Sequence, residues 1–153
     1  KYGEINLKGY IDRIDDRDGI IRILDYKTGS GSLSFGLWDD LFDHEFDPQK
    51  RPKHILQTFL YAYLYKSRTN ASIIIPGIYY IRNVFDDKFY TELSYKNENN
   101  SKSVIQNYFD HETEFISRLT SCVEEIFDPG IPFFQTKNVN ACSYCDFKTI
   151  CRR

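Results

Sequence analysis

Apolar positions alternate with polar ones in some stretches of the chain and recur at spacings of three and four in others, and the two periods predict different elements. Residues 5 to 14, INLKGYIDRI, alternate imperfectly and meet DDRDG, where Asp18 and Gly19 form a strong short hairpin signal. Residues 20 to 27, IIRILDYK, run back as the second arm, so a core hairpin is expected over 5–27. Side chains two apart on a strand point the same way, which puts Ile21, Ile23, Asp25 and Lys27 on one face and Ile20, Leu24 and Tyr26 on the other. Apolar residues on both faces predict a central strand. A charged pair at the end of such a strand is unusual.

TGSGS at 28–32 is a flexible exit into a polar connection that runs to Lys53, is broken by Pro48 and Pro52, and carries Phe35, Leu37, Trp38, Leu41 and Phe42. It reads as a long connection with one short helical turn, which either covers a cleft or is poorly ordered without substrate. A helix is expected over 54–67, HILQTFLYAYLYKS, from its three- and four-residue spacing of Leu, Ala and aromatics. ASIIIPGIYYIRNV and FYTELSY then read as two strands joined by FDDK, with Pro76 and Gly77 predicting a bend or a sheet edge. A long helix over 102–127 follows, with Val104, Tyr108, Phe115, Leu119, Cys122 and Ile126 on its apolar stripe, and Asp128, Pro129 and Gly130 stop it. The order is strand, strand, helix, strand, strand, helix and a cysteine loop at 142–151.

With 153 residues the chain is the size of one domain, taken as 1–153. It starts at Lys1 and stops in the cysteine loop, so the expectation is a piece of something longer, cut on the N-terminal side. Twelve Tyr and twelve Phe support a folded chain over a disordered one. A net charge of -2 gives no global attraction to a polyanion, so nucleic acid would have to be met through local cationic patches and metal ions. The longest apolar run, 73–81, is far below the roughly 20 residues of a membrane helix, and no membrane partner is expected. Three of the four cysteines are packed into Cys142, Cys145 and Cys151, a pattern that favours metal binding in a reducing compartment such as the cytoplasm over a disulfide framework.

Phosphodiester hydrolysis needs a cation to neutralise the phosphate and activate water, and Mg2+ takes hard oxygen ligands. Asp12 on one hairpin arm and Asp25 on the other can bring two carboxylates to a common ion, Mg2+ or Mn2+. Lys27, on the face of Asp25, can then approach phosphate and water. Asp-x-Lys alone is a common tripeptide and reads equally as a same-face ion pair; a Gly-x-Ile-Asp arm, a turn, and Asp-Tyr-Lys-Thr-Gly on the return arm is a far rarer combination. Asp15, Asp16 and Asp18 read as a solvated hairpin tip, with Asp15 a mate for Arg13 or a residue supporting the metal ligands.

The stretch GYIDRIDDRDGIIRILDYKTG resembles the core of the PD-(D/E)XK nuclease superfamily, in particular the nuclease domains of RecB, AddB and Cas4-like proteins. The resemblance implies a restriction-endonuclease-like α/β fold, a mixed central sheet flanked by helices, and a catalytic set on Asp12, Asp25 and Lys27, with Asp12 and Asp25 as metal ligands. The family's Gln-x-x-x-Tyr motif is matched by Gln57 and Tyr61, one helical turn apart on one face. The family's helix before the first core strand, with the His or Glu that completes its metal site, has no counterpart in this chain. His54 follows the hairpin and reads as an ordinary helix-start residue.

Cys142, Cys145 and Cys151 resemble the last three cysteines of the iron-sulfur members, which implies a 4Fe-4S cluster in a full-length protein, with zinc as the alternative. Cys122 reads as a core cysteine. Lys50, Arg51 and Lys53, and Lys148, Arg152 and Arg153, are candidate phosphate contacts. Phe35, Trp38 and Phe42 are candidates for stacking on unpaired bases or for packing over the sheet. The resemblance implies metal-dependent exonucleolytic cleavage of DNA, single-stranded or with free ends, beside a helicase subunit or domain in break repair. The alternatives are a stand-alone Cas4-like exonuclease and a non-hydrolytic DNA-binding or protein-docking module. A lysine–carboxylate network closing the cleft would favour that module.

Overall fold

The structure, a computed structural model, describes residues 4–43, 50–97 and 99–153. Strands β1 (Arg13–Arg17) and β2 (Ile20–Lys27) form an antiparallel hairpin. Its two turn residues, Asp18 and Gly19, have φ of 55° and 80°, the left-handed conformation that two-residue hairpin loops require and that Gly and Asp tolerate best. β1 is shorter than its sequence pattern suggests, because residues 4–12 form no regular element. Ile5 and Leu7 stay exposed, so alternation there buries nothing that would hold a strand. Instead the chain crosses a tyrosine: a Cβ on Gly9 would lie 2.4 Å from the Tyr61 ring.

After the short strand β3 (Ser34–Phe35) and a 3-10 turn at Trp38–Leu41, helix α1 (Lys53–Lys66) leads into β4 (Ile73–Tyr80). β4 lies parallel to β2 along all eight residues of both strands, from Ile20 beside Ile73 to Lys27 beside Tyr80. The sheet order β1-β2-β4 makes β2 central and the sheet mixed. β4 continues straight through Pro76 and Gly77 without a bend, because its far edge is paired only in part: Ile78 N donates to Thr91 O at 3.0 Å and Gly77 bridges Glu92. Pro76, which has no N–H to offer, is therefore accommodated on an outer strand.

The connection 28–53 contributes a strand and core side chains, although its residues 44–49, including Pro48, lie outside the described residues. β3 pairs with β5 (Ser94–Lys96), and β5 with β6 (Lys102–Val104), in a second small sheet. The strand expected over FYTELSY thus shrinks to its last residues and leaves the main sheet. Phe35 and Leu41 are buried, and Trp38 meets Phe59 edge-on at 5.3 Å and Phe35 at 5.0 Å. Phe42 lies 5.9 Å from Phe115. These aromatics belong to the core, and none is splayed out for stacking on bases.

The long helix also begins later than its sequence suggests. Residues 102–104 are β6, and α2 spans only Glu112–Phe127. Ile105 N donates to Leu93 O at 2.8 Å, and the Asn107 side chain accepts from Ile74 N at 3.1 Å, so this segment is tied to sheet edges before a helix can start. Val104 consequently faces solvent, whereas Tyr108 and Phe115 are fully buried around Phe59. Cys122 is only partly buried. α1 packs on the Ile21, Ile23, Ile74 and Ile78 face of the main sheet, and α2 closes the core from beyond α1 through Phe115.

Two stability outcomes follow from this packing. A Cβ on Gly77 would lie 2.8 Å from Leu24 Cδ2 and 2.9 Å from the Thr91 carbonyl oxygen, so Gly77→Ala is expected to cost about 1–3 kcal/mol in urea unfolding. His111, wedged between the rings of Trp38 and Tyr95, is held below its ordinary value near 6.5 by burial, with Asp110 opposing. The unfolded chain then binds the extra proton, so this stabilisation is fully present above the ordinary value and is lost as pH falls through the lower folded one. His111→Gln should flatten the decline in melting temperature between about pH 7 and 5.

Candidate active site

The main sheet ends, on the side where β2 and β4 both finish, in a corner walled by α1. Asp25 and Lys27 share the α1-facing side of β2, with Ile78 and Tyr80 as their neighbours on β4. Asp25 is 2% exposed. A bare carboxylate at such depth is costly, and the nearby charge that offsets it is Lys27, whose Nζ lies 2.6 Å from Oδ2. This contact is an ion pair without hydrogen-bond geometry, and Oδ2 has no hydrogen-bond partner among the described residues.

α1 supplies the next contacts. Lys27 Nζ donates to Gln57 Oε1 at 3.0 Å, and Gln57 Nε2 donates to the Tyr61 hydroxyl at 2.6 Å. Lys27, which can only donate, sets which way the Gln57 amide faces: the amide oxygen turns to the ammonium and the NH2 to the tyrosine hydroxyl, which can accept. Asp25, Lys27, Gln57 and Tyr61 form one continuous chain of contacts from strand to helix.

Asp12 approaches from the other hairpin arm. The pairing of β1 with β2 begins at Arg13 opposite Leu24, and Asp12 is the residue just before it, in a bend. The Tyr26 N–H donates to Asp12 Oδ2 at 2.8 Å, which fixes the Asp12 carboxylate beside the backbone that follows Asp25. Asp12 is exposed where Asp25 is buried. Asp15 is used differently: Arg13 and Arg22 both hold it at 2.6 Å. Those contacts, the Arg13 hydrogen bond foremost, keep its carboxyl below the ordinary value and occupy its oxygens at the hairpin tip.

Two further residues stand in the same corner. His54, on the first turn of α1, shares a face with Gln57 and Tyr61, and its Nδ1 lies 3.1 Å from the buried Tyr80 hydroxyl. Burial is the main cause that holds the His54 imidazole below its ordinary value; Lys27 and then Lys53 add to it, and Asp25 opposes. Burial, and then Asp25, push the Tyr80 phenol up. The sequence signal for His54 was its spacing of three and seven from Gln57 and Tyr61; for Tyr80 there was none, since only the register with β2 brings it beside Lys27.

Both carboxylates offer oxygen, the donor that a hard divalent cation takes; Asp25 Oδ2 has no hydrogen-bond partner among the described residues and meets the Lys27 ammonium at 2.6 Å. Among the described residues no group of three or more His, Cys, Asp or Glu side chains converges; Asp12 and Asp25 are the candidate ligands here. That is compatible with Mg2+, which keeps several waters and takes substrate oxygens. The cysteine loop is a run of turns in which Cys145 N donates to Cys142 O at 3.2 Å and Cys151 N to Phe147 O at 3.3 Å; its three thiols are free and form no three-residue ligand group.

The Asp25–Lys27 pair can be weighed by unfolding. Lys27→Met leaves a buried carboxylate without its cation and should cost about 3 kcal/mol. Combining it with Asp25→Asn should restore most of the loss. Equal losses in the single and double variants would show that the ion pair is not what balances Asp25.

No curated protein and no solved structure matches the chain. A family model does, that of the PD-(D/E)XK nuclease superfamily, over residues 1–152. The mixed central sheet flanked by helices agrees with the restriction-endonuclease-like fold of that group. Its members generally act on nucleic acids and often use divalent metal ions. On the strength of a match across nearly its whole length, the chain belongs to the PD-(D/E)XK nuclease superfamily.

Proposed function

We propose that residues 1–153 form a nuclease domain that hydrolyses phosphodiester bonds in DNA with Mg2+ or Mn2+, working from single strands or free ends. The observation that carries this reading is the chain of contacts from buried Asp25 through Lys27 and Gln57 to Tyr61, with Asp12 held by the Tyr26 N–H next to Asp25. Asp12 and Asp25 would hold the cation. Such an ion offsets charge on the scissile phosphate and lowers the pKa of an attacking water.

The protein's own part is positioning. An ammonium has three donors; Asp25 and Gln57 engage Lys27 from two sides and leave capacity for a phosphate oxygen or the water. Gln57, braced by Tyr61, keeps the lysine at one height in the cleft. Action beside a helicase in break repair, and a cysteine-bound 4Fe-4S cluster or zinc in a longer protein, rest on the likeness to RecB, AddB and Cas4-like domains alone.

One observation favours a second reading, a non-hydrolytic DNA-binding or docking module: Lys27 bridges Asp25 and Gln57 and so closes the network on itself. Degradation of end-labelled single-stranded DNA with Mg2+ or Mn2+ separates the two. Metal-dependent cleavage that falls about 10²-fold or more in Lys27→Ala is expected, with circular dichroism checking that the variant is folded. Equal inactivity of both proteins, with DNA still bound, would establish the module instead.

A further inference from the structure

The proposed reaction leaves unused a buried phenol and a half-buried imidazole in the same corner. Tyr80 is 4% exposed, and His54 lies 3.1 Å from its hydroxyl. Tyr80 is also the register partner of Lys27, on a strand hydrogen-bonded to it. Register partners in a parallel pair project to the same side of the sheet, at a strand spacing of about 4.8 Å, so the tyrosine stands beside the lysine stem. The hydroxyl is hemmed in on another side by the loop after Lys27: a Cβ on Gly31 would come within 2.0 Å of it. It therefore has little room to move, and its hydrogen bond to His54 sets its direction. The backbone that carries the imidazole is fixed within α1, where the Thr58 hydroxyl donates to the His54 carbonyl at 2.8 Å.

We propose that His54 and Tyr80 are a positioning pair that fixes Lys27 from the β4 side of the cleft, as Gln57 and Tyr61 fix it from the α1 side. The proposal deepens the nuclease reading and rests on it for the catalytic consequence, although the placement of Lys27 is independent of it. The two pairs divide the task. Gln57 takes a hydrogen bond from the ammonium directly, whereas Tyr80 limits where the stem of Lys27 can swing, and His54 holds Tyr80 in place. A neutral imidazole suits this position, since a charged one would repel Lys27.

The test combines a structural readout with kinetics. The 15N–1H resonance of the Lys27 ammonium is followed by NMR in the parent chain, in Tyr80→Phe, which keeps the ring and loses only the hydroxyl, and in His54→Ala and His54→Gln. Expected are a shifted or broadened Lys27 resonance in Tyr80→Phe and His54→Ala, partial return in His54→Gln, and a fall of about tenfold in kcat with KM and melting temperature unchanged. A Lys27 resonance that does not move in Tyr80→Phe overturns the proposal, whatever the activity. A resonance that moves in a protein without any nuclease activity keeps the positioning role and discards the nuclease reading, so the two failures are distinct.

Discussion

The parallel pairing of β2 with β4 is the constraint on which the rest of the structure depends. Parallel neighbours cannot be joined by a tight turn, so the chain between them must travel, and that travel contains α1. Once both strands lie side by side from Ile20 and Ile73 to Lys27 and Tyr80, their chain ends coincide and the helix is brought across the same face. The corner that results collects residues from β2, β4, α1 and the segment before β1.

Burial and charge act against each other in that corner. Ile21, Ile23, Ile74 and Ile78 make the α1-facing side of the sheet dry, which rewards apolar contact and penalises Asp25. The carboxylate is tolerable because Lys27 sits 2.6 Å away, and Lys27 is ordered because Gln57 and Tyr61 are packed on a helix that the same apolar face holds in place. The core thus does more than stabilise: it sets the spacing between strand and helix at which a lysine can touch a carboxylate on one element and an amide on another. Phe59, ringed by Trp38, Tyr108 and Phe115, carries this from the connection before α1 to the start of α2.

How far the chain could be read without coordinates differs between its elements. The hairpin turn was legible because Asp18 and Gly19 act locally, through their tolerance of positive φ. The central place of β2 was legible because apolar residues on both faces leave no side for water. The start of β1, the short reach of β5 and the late start of α2 were not, because each was decided by a partner far along the chain: Tyr61 against Gly9, β3 against β5, and Asn107 against the Ile74 amide. The aromatics of the 28–53 connection carry no sign in sequence of whether they face a ligand or a core; Phe59 decides it for Trp38.

Sequence by itself determined the chemical inventory, the α/β class and the alternation that puts Asp25 and Lys27 on one face, since periodicity and turn chemistry are local properties of the backbone. Tertiary structure alone decided that Asp25 is buried, that Asp15 is taken up by two arginines at the hairpin tip, and that His54 and Tyr80 join the corner. It also kept Cys142, Cys145 and Cys151 from converging into a three-residue ligand group among the described residues. The reason is common to all of these: desolvation and charge pairing depend on distances between elements, and those distances are set by how strands register and helices pack, which no local pattern encodes.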